Sequence, residues 1–473
     1  MKRQIPFILI GISVGILFTF SPGTAFVLGL VLLISLALRK FSDIKDRRFI
    51  VGLFLAGFLA RAVLSLGLDG LSCLVEGERP HIKGPVRDDD INIVDRTRSY
   101  LGMGDSDYYS ERGYVLAQLA KGTMRIPSTS HQGQYGWHGY LHVIAAFYTL
   151  FDFSPVAVKF INCLLGALLG PVLFFLAASF FNSEIARWSA LSAAFFPSLI
   201  LWSASNLKDP SLFLLTALLF LLFVKIREKS AWPRRLFYGG AFALALYAHA
   251  MMRSAVYPVA LIGSLLLSFL FTVPRRKFIR WAFLMLLLAG IFIGQARVRS
   301  FLEQGFARHV GHIQTRGTVY RYLPEPFYTR ATLEEWGRSG KLGLSTVKYL
   351  AKAVLHYLTE PIPIATKINS FLLAAACPQM LLWYLLLLFA FRGMRVSTQW
   401  NFQETFFLLL TLGAWIFLGA LTSGNVGTVF RMRDMISPYL LMFACVGIWA
   451  TSHGLREIKK NPICLRRNDG DLG

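Results

Sequence analysis

Long apolar runs separated by short basic connections dominate this sequence and set its class of fold. Most of the runs approach the length that a helix needs to cross the hydrocarbon core of a bilayer. The chain of 473 residues is 55% hydrophobic and only 16% charged, and a soluble domain could not bury so many runs of this length. We therefore predict an all-α polytopic membrane protein with about twelve membrane-spanning helices. The predicted spans are residues 5–21, 23–38, 49–68, 156–180, 184–203, 210–226, 236–252, 255–273, 280–296, 368–391, 404–422 and 435–451.

The positive charge of the chain is concentrated in the connections on one side of these spans. A formal net charge of +23 invites a nucleic-acid partner, but clusters such as Arg39-Lys40 and Arg275-Arg276-Lys277 lie between spans. Lys and Arg in short connections mark the cytoplasmic side of a membrane protein. We therefore predict a multi-pass protein of the cell (inner or plasma) membrane, with both termini in the cytoplasm. The predicted partners of this protein include membrane lipids, and no nucleic-acid partner is expected.

This topology places two long loops on the outer side of the membrane, residues 69–155 and 297–367. The end of the first loop, residues 139–151, is apolar but too short to span a bilayer. We predict that this end is an interfacial or re-entrant segment.

An acidic stretch in the first outer loop is the strongest candidate for chemistry. Asp105, Asp107 and Glu111 fall within seven residues, and in a helix beginning near Ser106 the last two are i,i+4 neighbours on one face. Apolar residues follow at helical spacing, which favours a short amphipathic helix on the membrane surface. A carboxylate there could serve as general base on a lipid-borne substrate. The alternative is a solvated helix N-terminus, where acidic residues offset the helix dipole.

Basic residues in unusual places are candidates for binding a phosphate group. One lies inside a predicted span, where a charge is costly unless it has a partner, and the others lie at predicted outer connections. The predicted phosphate contacts are Arg61, Lys208, Arg253, Arg431 and Arg433. Structural alternatives remain: Arg61 could pack between helices or snorkel, and Lys208 could pair with Asp209 at the start of the next helix.

An aromatic and imidazole cluster precedes the short apolar run. We predict that His131, Trp137 and His138 contact a substrate, although an interfacial aromatic belt would explain the tryptophan without a ligand. Two histidines seven residues apart do not make a metal site by spacing alone. The metal ligands therefore stay unknown. The sequence is compatible with a divalent metal and predicts no other cofactor.

Three segments of the chain match, in order, segments of one group of membrane enzymes. Asp105-Ser-Asp-Tyr-Tyr109 resembles an acidic motif at the start of that group's first outer loop, with Tyr109 at the matching place. Phe151-x-x-Ser154-Pro155-Val-Ala-Val-Lys159-Phe-Ile-Asn162 and Ala186-x-x-Ser189-Ala…Phe196-Pro197 resemble its second and third spans. The group is the GT-C superfamily of glycosyltransferases, in particular the bacterial relatives of protein O-mannosyltransferases and aminoarabinose transferases. In one place the sequence departs from it: Gly136-Trp-His-Gly139 stands where a Lys-Pro-Pro-like motif is common.

The resemblance also implies a division of the chain. Residues 49–296 contain seven predicted spans, the number in the conserved GT-C module. We predict two accessory spans in residues 1–48, this module with its catalytic first outer loop, the second outer loop in residues 297–367, and C-terminal spans with a basic tail in residues 368–473.

The resemblance implies an inverting transfer of a sugar from a polyprenyl-phosphate carrier. The acceptor would be a lipid, a glycan or a protein at the outer face. Asp105 is the first candidate for the base, followed by Asp107 and Glu111, and Tyr109 is a predicted substrate contact. A polysaccharide polymerase or ligase that uses a lipid-linked oligosaccharide is the nearest alternative. A twelve-span transporter or flippase is less favoured, because such proteins usually show two similar halves and this chain shows no evident half-repeat.

Overall fold

The described part of the chain is built of α-helices joined by turns. A computed structural model describes residues 21–41, 44–76, 104–123, 139–227, 231–252, 260–264, 344–363, 371–400, 402–422 and 426–453. No strand occurs among these residues, and several of the helices are apolar and long enough to cross a membrane. The all-α membrane class is therefore confirmed.

The described residues fall into two compact units. The first lies within Met1–Ser179 and Ala186–Arg253, and the second lies within Phe180–Ile185 and Ser254–Gly473. The helices of the first unit are α1 (Pro22–Phe41), α2 (Ile44–Glu76), α3 (Gly104–Ala120), α4 (Gly139–Phe151), α5 (Pro155–Ala178), most of α6 (Ser183–Phe195), α7 (Pro197–Ser203), α8 (Asp209–Arg227) and α9 (Trp232–Met252). The helices of the second are α10 (Leu344–Thr359), α11 (Phe371–Trp400), α12 (Phe402–Thr422), α13 (Val426–Arg433) and α14 (Ser437–Ser452).

Five helices in the described ranges are long and apolar enough to span a membrane, and two bent helix pairs raise the number to seven if each pair is one span. All seven coincide with predicted spans, but the total of twelve is not confirmed. Two predicted spans fall short of the same criteria. Helix α9, at 236–252, is not among the candidate spans, and the apolar part of α12, at 404–422, is a shorter helix, Thr405–Ala420. The predicted spans 5–21, 255–273 and 280–296 lie wholly or mostly outside the described residues.

The predicted span 184–203 is broken rather than straight. Helices α6 and α7 meet at an angle of 52°, and Pro197 is the first residue of α7. Proline has no backbone N–H and forces the preceding residue out of the helical conformation. Phe196 is accordingly extended, with ψ 124°. The break leaves carbonyl groups at the end of α6 without their usual helical partners.

Helix α5 is the central element of the first unit, in contact with α1, α2, α7 and α8. Two ion pairs join the ends of α2 to neighbouring helices, one at each end of α2. Lys159, near the start of α5, pairs with Asp69 of α2, and Arg187 of α6 pairs with Asp46 of α2 at 2.7 Å. In each pair, the two helix ends are ones that the predicted topology places on the same side of the membrane.

In the second unit, α11 and α14 cross at glycines. A Cβ on Gly393 would lie 2.7 Å from the backbone carbon of Phe443, and a Cβ on Gly447 would lie 2.9 Å from that of Phe389. Small residues at a helix crossing let two backbones approach closely, which is a common way for membrane helices to associate. The predicted second outer loop, residues 297–367, contains helix α10.

Candidate functional site

The acidic stretch forms a helix, as the sequence predicts. Helix α3 begins at Gly104, so Asp105 and Asp107 lie in its first turns, and Glu111 is half-buried farther along. The side chains of Asp105 and Asp107 lie outside the described part of the structure. One face of α3 is buried, and its residues recur every three or four positions: Ser106, Tyr109, Ser110, Gly113 and Ala117. This face packs on α4.

The crossing of α3 and α4 depends on Gly113 and on two tyrosine rings. A Cβ on Gly113 would lie 2.8 Å from Cβ of Ile144 and closer still to its Cγ2, so only glycine fits this approach. The ring of Tyr109 meets the ring of Tyr140 edge to face, with centroids 5.6 Å apart. This geometry is the favoured one for aromatic pairs. Tyr109, a predicted substrate contact, is therefore buried between the helices, and its substrate role stays a prediction.

A turn at residues 204–208, between α7 and α8, lies against the buried face of α3. The backbone N–H of Asn206 donates to Oγ of Ser106 at 3.1 Å. Its side-chain amide donates to Oγ of Ser110 at 2.7 Å and accepts a hydrogen bond from the hydroxyl of Tyr140 at 2.6 Å. Asn206 is fully buried, so these bonds replace the water that its polar groups would otherwise bind.

Asn162 of α5 supports the same turn from the opposite side. Its Nδ2 lies 2.7 Å from the carbonyl oxygen of Ser205, 2.8 Å from that of Leu207 and 2.8 Å from the hydroxyl oxygen of Tyr140. Carbonyl groups in a buried turn are costly without partners. Asn162 therefore stabilises the irregular backbone on which the contacts of Asn206 depend.

Tyr140 links the two asparagines and remains a neutral hydrogen-bond donor. Burial raises the pKa of Tyr140 well above its ordinary value, and the charge of Asp209 adds to this, whereas the hydrogen bond with Asn162 opposes it. The phenol is therefore protonated at physiological pH, so it can position other groups but cannot accept a proton from a substrate.

The turn also carries Lys208, one of the predicted phosphate contacts. Lys208 is half-buried, two residues after Asn206, and the buried Asp209 begins α8. The structure thus brings the Lys208 turn and the acidic helix together in one unit. A candidate proton acceptor on α3 and a candidate cation, Lys208, therefore lie in the same region. A reaction that breaks a bond to a phosphate leaving group needs both kinds of group.

Arg61 is fully buried in α2 and faces the break in the bent helix pair. Its Nη1 donates to the carbonyl of Gly57 at 2.9 Å and to the carbonyl of Ala194, at the end of α6, at 2.8 Å. A Cβ on Gly166 would lie 2.8 Å from its Nε, so α5 also approaches closely. The C-terminal end of a helix is partially negative, which suits the contacts of Nη1, whereas Nε and Nη2 of Arg61 are buried without a hydrogen-bond partner in the described part of the chain. The phosphate role of Arg61 stays a prediction.

Arg433 has a similar setting in the second unit. Its Nη1 donates to the carbonyl of Glu360 at 2.6 Å, just beyond the end of α10. Its guanidinium carbon lies 4.8 Å from the ring centre of Trp383 and 5.3 Å from that of Phe430. These contacts engage Nη1 and the face of the guanidinium, while Nε of Arg433 is buried without a hydrogen-bond partner among the described residues. Arg431, on the same helix, is half-buried, and for both arginines phosphate binding stays a prediction.

The remaining predicted site residues, His131, Trp137, His138 and Arg253, lie outside the described residues. Within the described ranges, no three His, Cys, Asp or Glu side chains are grouped as a metal site would require.

Sequence reasoning missed the polar residues that hold the acidic helix in place. Ser106 and Ser110 are four residues apart, a spacing that puts both on one face of a helix, and they sit among the acidic residues that drew attention instead. Asn162 ends one of the segments that resemble the family, and Asn206 lies two residues before Lys208, but the sequence predicts a site role for neither. Nothing in their spacing along the chain indicates that Tyr140 lies between them.

Comparison with known proteins connects this site to a family. Residues 139–295 match the family model described as dolichyl-phosphate-mannose-protein mannosyltransferase, a GT-C type glycosyltransferase domain. The match begins with α4 and includes Tyr140, Asn162, Asn206 and Lys208. A search of curated proteins gives no match. The resemblance to GT-C glycosyltransferases is therefore confirmed over residues 139–295, which match a glycosyltransferase domain of the GT-C type.

Proposed function

We propose that this protein is an inverting glycosyltransferase that uses a polyprenyl-phosphate sugar as donor. The acceptor is a lipid, a glycan or a protein, and the reaction takes place at the outer face of the membrane. One observation carries the proposal. Helix α3, which carries the carboxylates, is hydrogen-bonded to the turn at 204–208, and this turn, with Lys208, lies in the segment that matches the family.

The proposed chemistry assigns a separate task to each side of the site. A carboxylate of α3, Asp105 first and then Asp107 or Glu111, accepts the proton of the acceptor hydroxyl. The acceptor oxygen forms a bond to the anomeric carbon while the bond from that carbon to the phosphate oxygen breaks. The electron pair leaves with the polyprenyl phosphate, whose growing charge is stabilised by Lys208 and, as the sequence suggests, by Arg253. Attack opposite to the leaving group inverts the anomeric configuration.

The position of α3 suits a lipid-borne substrate. Its neighbour α4 is a 13-residue helix, too short to cross a bilayer, and both helices precede the spans α5 to α8 in the chain. A reaction at the membrane surface needs a polar group that reaches the headgroup of a lipid whose chain stays in hydrocarbon. Helix α3 has one buried face, packs on α4 and is hydrogen-bonded to the turn between α7 and α8, which fits that requirement.

The donor can be tested with purified protein in lipid nanodiscs. Membranes from cells that lack the protein supply the acceptor, and three donors are compared: a polyprenyl-phosphate sugar, a polyprenyl-diphosphate oligosaccharide and a nucleotide sugar. We expect transfer from the first only, with an inverted anomeric configuration by NMR. Transfer only from the diphosphate oligosaccharide would indicate the polymerase or ligase alternative. Transfer only from the nucleotide sugar, or retention of configuration, would contradict the proposal.

A further inference from the structure

Asn206 contacts the first turn of the acidic helix α3 between the two candidate bases, Asp105 and Asp107. Ser106, which accepts the hydrogen bond of the Asn206 backbone, stands between Asp105 and Asp107 in the sequence. A shift of Asn206 would therefore act, through the side chain of Ser106, on the segment that carries both candidate bases. On the other side, Lys208 follows Asn206 by two residues, so the same turn also carries the candidate cation.

The crossing of α3 with α4 sets how closely the two helices approach, because a Cβ on Gly113 would overlap the side chain of Ile144. The hydrogen bonds of Asn206 add a second constraint, between α3 and the turn at 204–208. Hydrogen bonds are directional and weaken steeply when their geometry is lost. Asn206 uses its backbone N–H, its amide nitrogen and its amide oxygen to bond Ser106, Ser110 and Tyr140. Three bonds in different directions define one position of the helix relative to the turn.

We propose that Asn206 is a positioning residue for sugar transfer, and that Tyr140 and Asn162 hold it in place. The inference rests on the proposed function. The hydrogen-bond network sets the distance between the carboxylates of α3 and Lys208, and so aligns the acceptor oxygen with the leaving phosphate. Catalysis depends steeply on such alignment, since a displacement of about 1 Å can cost roughly 10²-fold in rate.

The test compares variants that each remove one or two bonds of the network. Tyr140→Phe removes only the hydroxyl that bonds Asn206 and Asn162, Ser110→Ala removes one acceptor of Asn206, and Asn206→Ala removes both amide bonds. Thr149→Ala is the matched control on α4, because its hydroxyl bonds only the carbonyl of Ala145 in its own helix, at 2.8 Å. Ser179→Ala, just beyond α5, is a second control of the same kind.

Two readouts are taken on folded protein purified in nanodiscs. Hydrogen–deuterium exchange reports the protection of residues 204–208 and of α3, whether or not the protein is active. Initial rates against donor concentration separate kcat from KM. We expect Tyr140→Phe and Asn206→Ala to speed exchange in both segments and to lower kcat about 10- to 100-fold, with a donor KM within about 2-fold of the wild type. The controls should match the wild type in both readouts.

The double variant Tyr140→Phe with Ser110→Ala adds a check on the network itself. If both residues act through Asn206, the loss in kcat of the pair should be well below the product of the two separate losses. Unchanged exchange in 204–208 and α3, in Tyr140→Phe and Asn206→Ala alike, would overturn the inference. So would faster exchange with unchanged kcat. Failure of the wild type to use the polyprenyl-phosphate donor would instead overturn the proposed function, and the exchange result would still decide whether the network holds α3.

Discussion

At the scale of single residues, the turn at 204–208 brings Lys208 close to the acidic helix. The lysine is half-buried, so its charge acts in a medium less polar than bulk water, and its effect on a phosphate is correspondingly larger. Its position on the turn fixed by Asn206 makes it the best-supported phosphate contact among the predicted ones.

We predict that Lys208→Ala lowers kcat/KM for the donor about 10-fold or more, with a loss in kcat, because the lysine stabilises the charge that develops on the leaving phosphate. Lys208→Arg should restore part of the activity, because the charge is kept while its geometry changes. The matched control is Lys121→Ala, which removes an exposed lysine paired with Asp152 at 2.7 Å and worth little to stability. Initial rates against donor concentration provide the measurement. A kcat/KM for the donor that is the same in Lys208→Ala and the wild type would remove Lys208 from the site.

The buried arginines show what could not be predicted from single residues. A charge inside a predicted span indicates function by default, and the sequence predicts a phosphate contact for Arg61 on that ground. In the structure, Arg61 donates to a carbonyl at the end of α6, and Arg433 donates to one just beyond the end of α10. Both guanidinium groups compensate helix ends. That role depends on which helix end lies nearby, and the local sequence carries no information about it.

At the scale of helices, the position of α3 depends on its crossing with α4. The sequence predicts the helix because the acidic and apolar residues follow its period. It does not predict the crossing at Gly113, because a glycine inside a helix is explained only by the atoms that approach it. The same applies to the break in the span 184–203, where Pro197 is visible in the sequence but the 52° angle depends on packing.

We predict that Gly113→Ala displaces α3 and lowers kcat by about 10²-fold, while the protein remains inserted and folded. The added methyl would overlap the side chain of Ile144, so the second change Ile144→Ala should restore part of the activity by making room. Gly70→Ala, where a Cβ has nothing within 4 Å, is the control. Wild-type activity in Gly113→Ala would show that the close approach of α3 and α4 has no bearing on the reaction.

In the second unit, we predict that Gly447→Ala destabilises the protein by about 1–3 kcal/mol through overpacking. Alanine is favoured over glycine inside a helix by up to about 1 kcal/mol, but the Cβ would meet the backbone of Phe389, which cannot rotate away. At Gly413, where nothing lies within 4 Å, the same change should be neutral or stabilising. Thermal unfolding in detergent compares the two variants. A Gly447→Ala protein as stable as Gly413→Ala would contradict the crossing of α11 and α14.

At the scale of the whole molecule, the predicted topology follows from the distribution of Lys and Arg, since hydropathy gives spans but not their orientation. The long apolar helices were predictable because spanning length and composition are local properties. The short polar helix α13 (Val426–Arg433) was not, because it has no apolar run.

We predict that residues 69–155 and 297–367 lie outside the cytoplasm. In a variant with all five native cysteines replaced, a membrane-impermeant thiol reagent should label a cysteine introduced at Ser128 in intact cells and miss one introduced at Ser230. Lysed cells should show labelling at both positions, as the accessibility control. The reverse pattern in intact cells would contradict the predicted topology and, with it, a reaction at the outer face of the membrane.

In the proposed mechanism a carboxylate of α3 is the base in sugar transfer, and the turnover of Asp105→Asn tests this most directly. Asparagine keeps the volume of aspartate but cannot accept the proton, and loss of a general base typically costs about 10²–10⁴-fold in kcat. The measurement uses folded protein in nanodiscs with a polyprenyl-phosphate sugar, beside Asp107→Asn, Glu111→Gln and the exposed control Asp152→Asn. We predict that Asp105→Asn loses turnover by that factor, that its donor KM is nearly unchanged and that Asp152→Asn is fully active. Wild-type turnover in all three α3 variants would contradict the account.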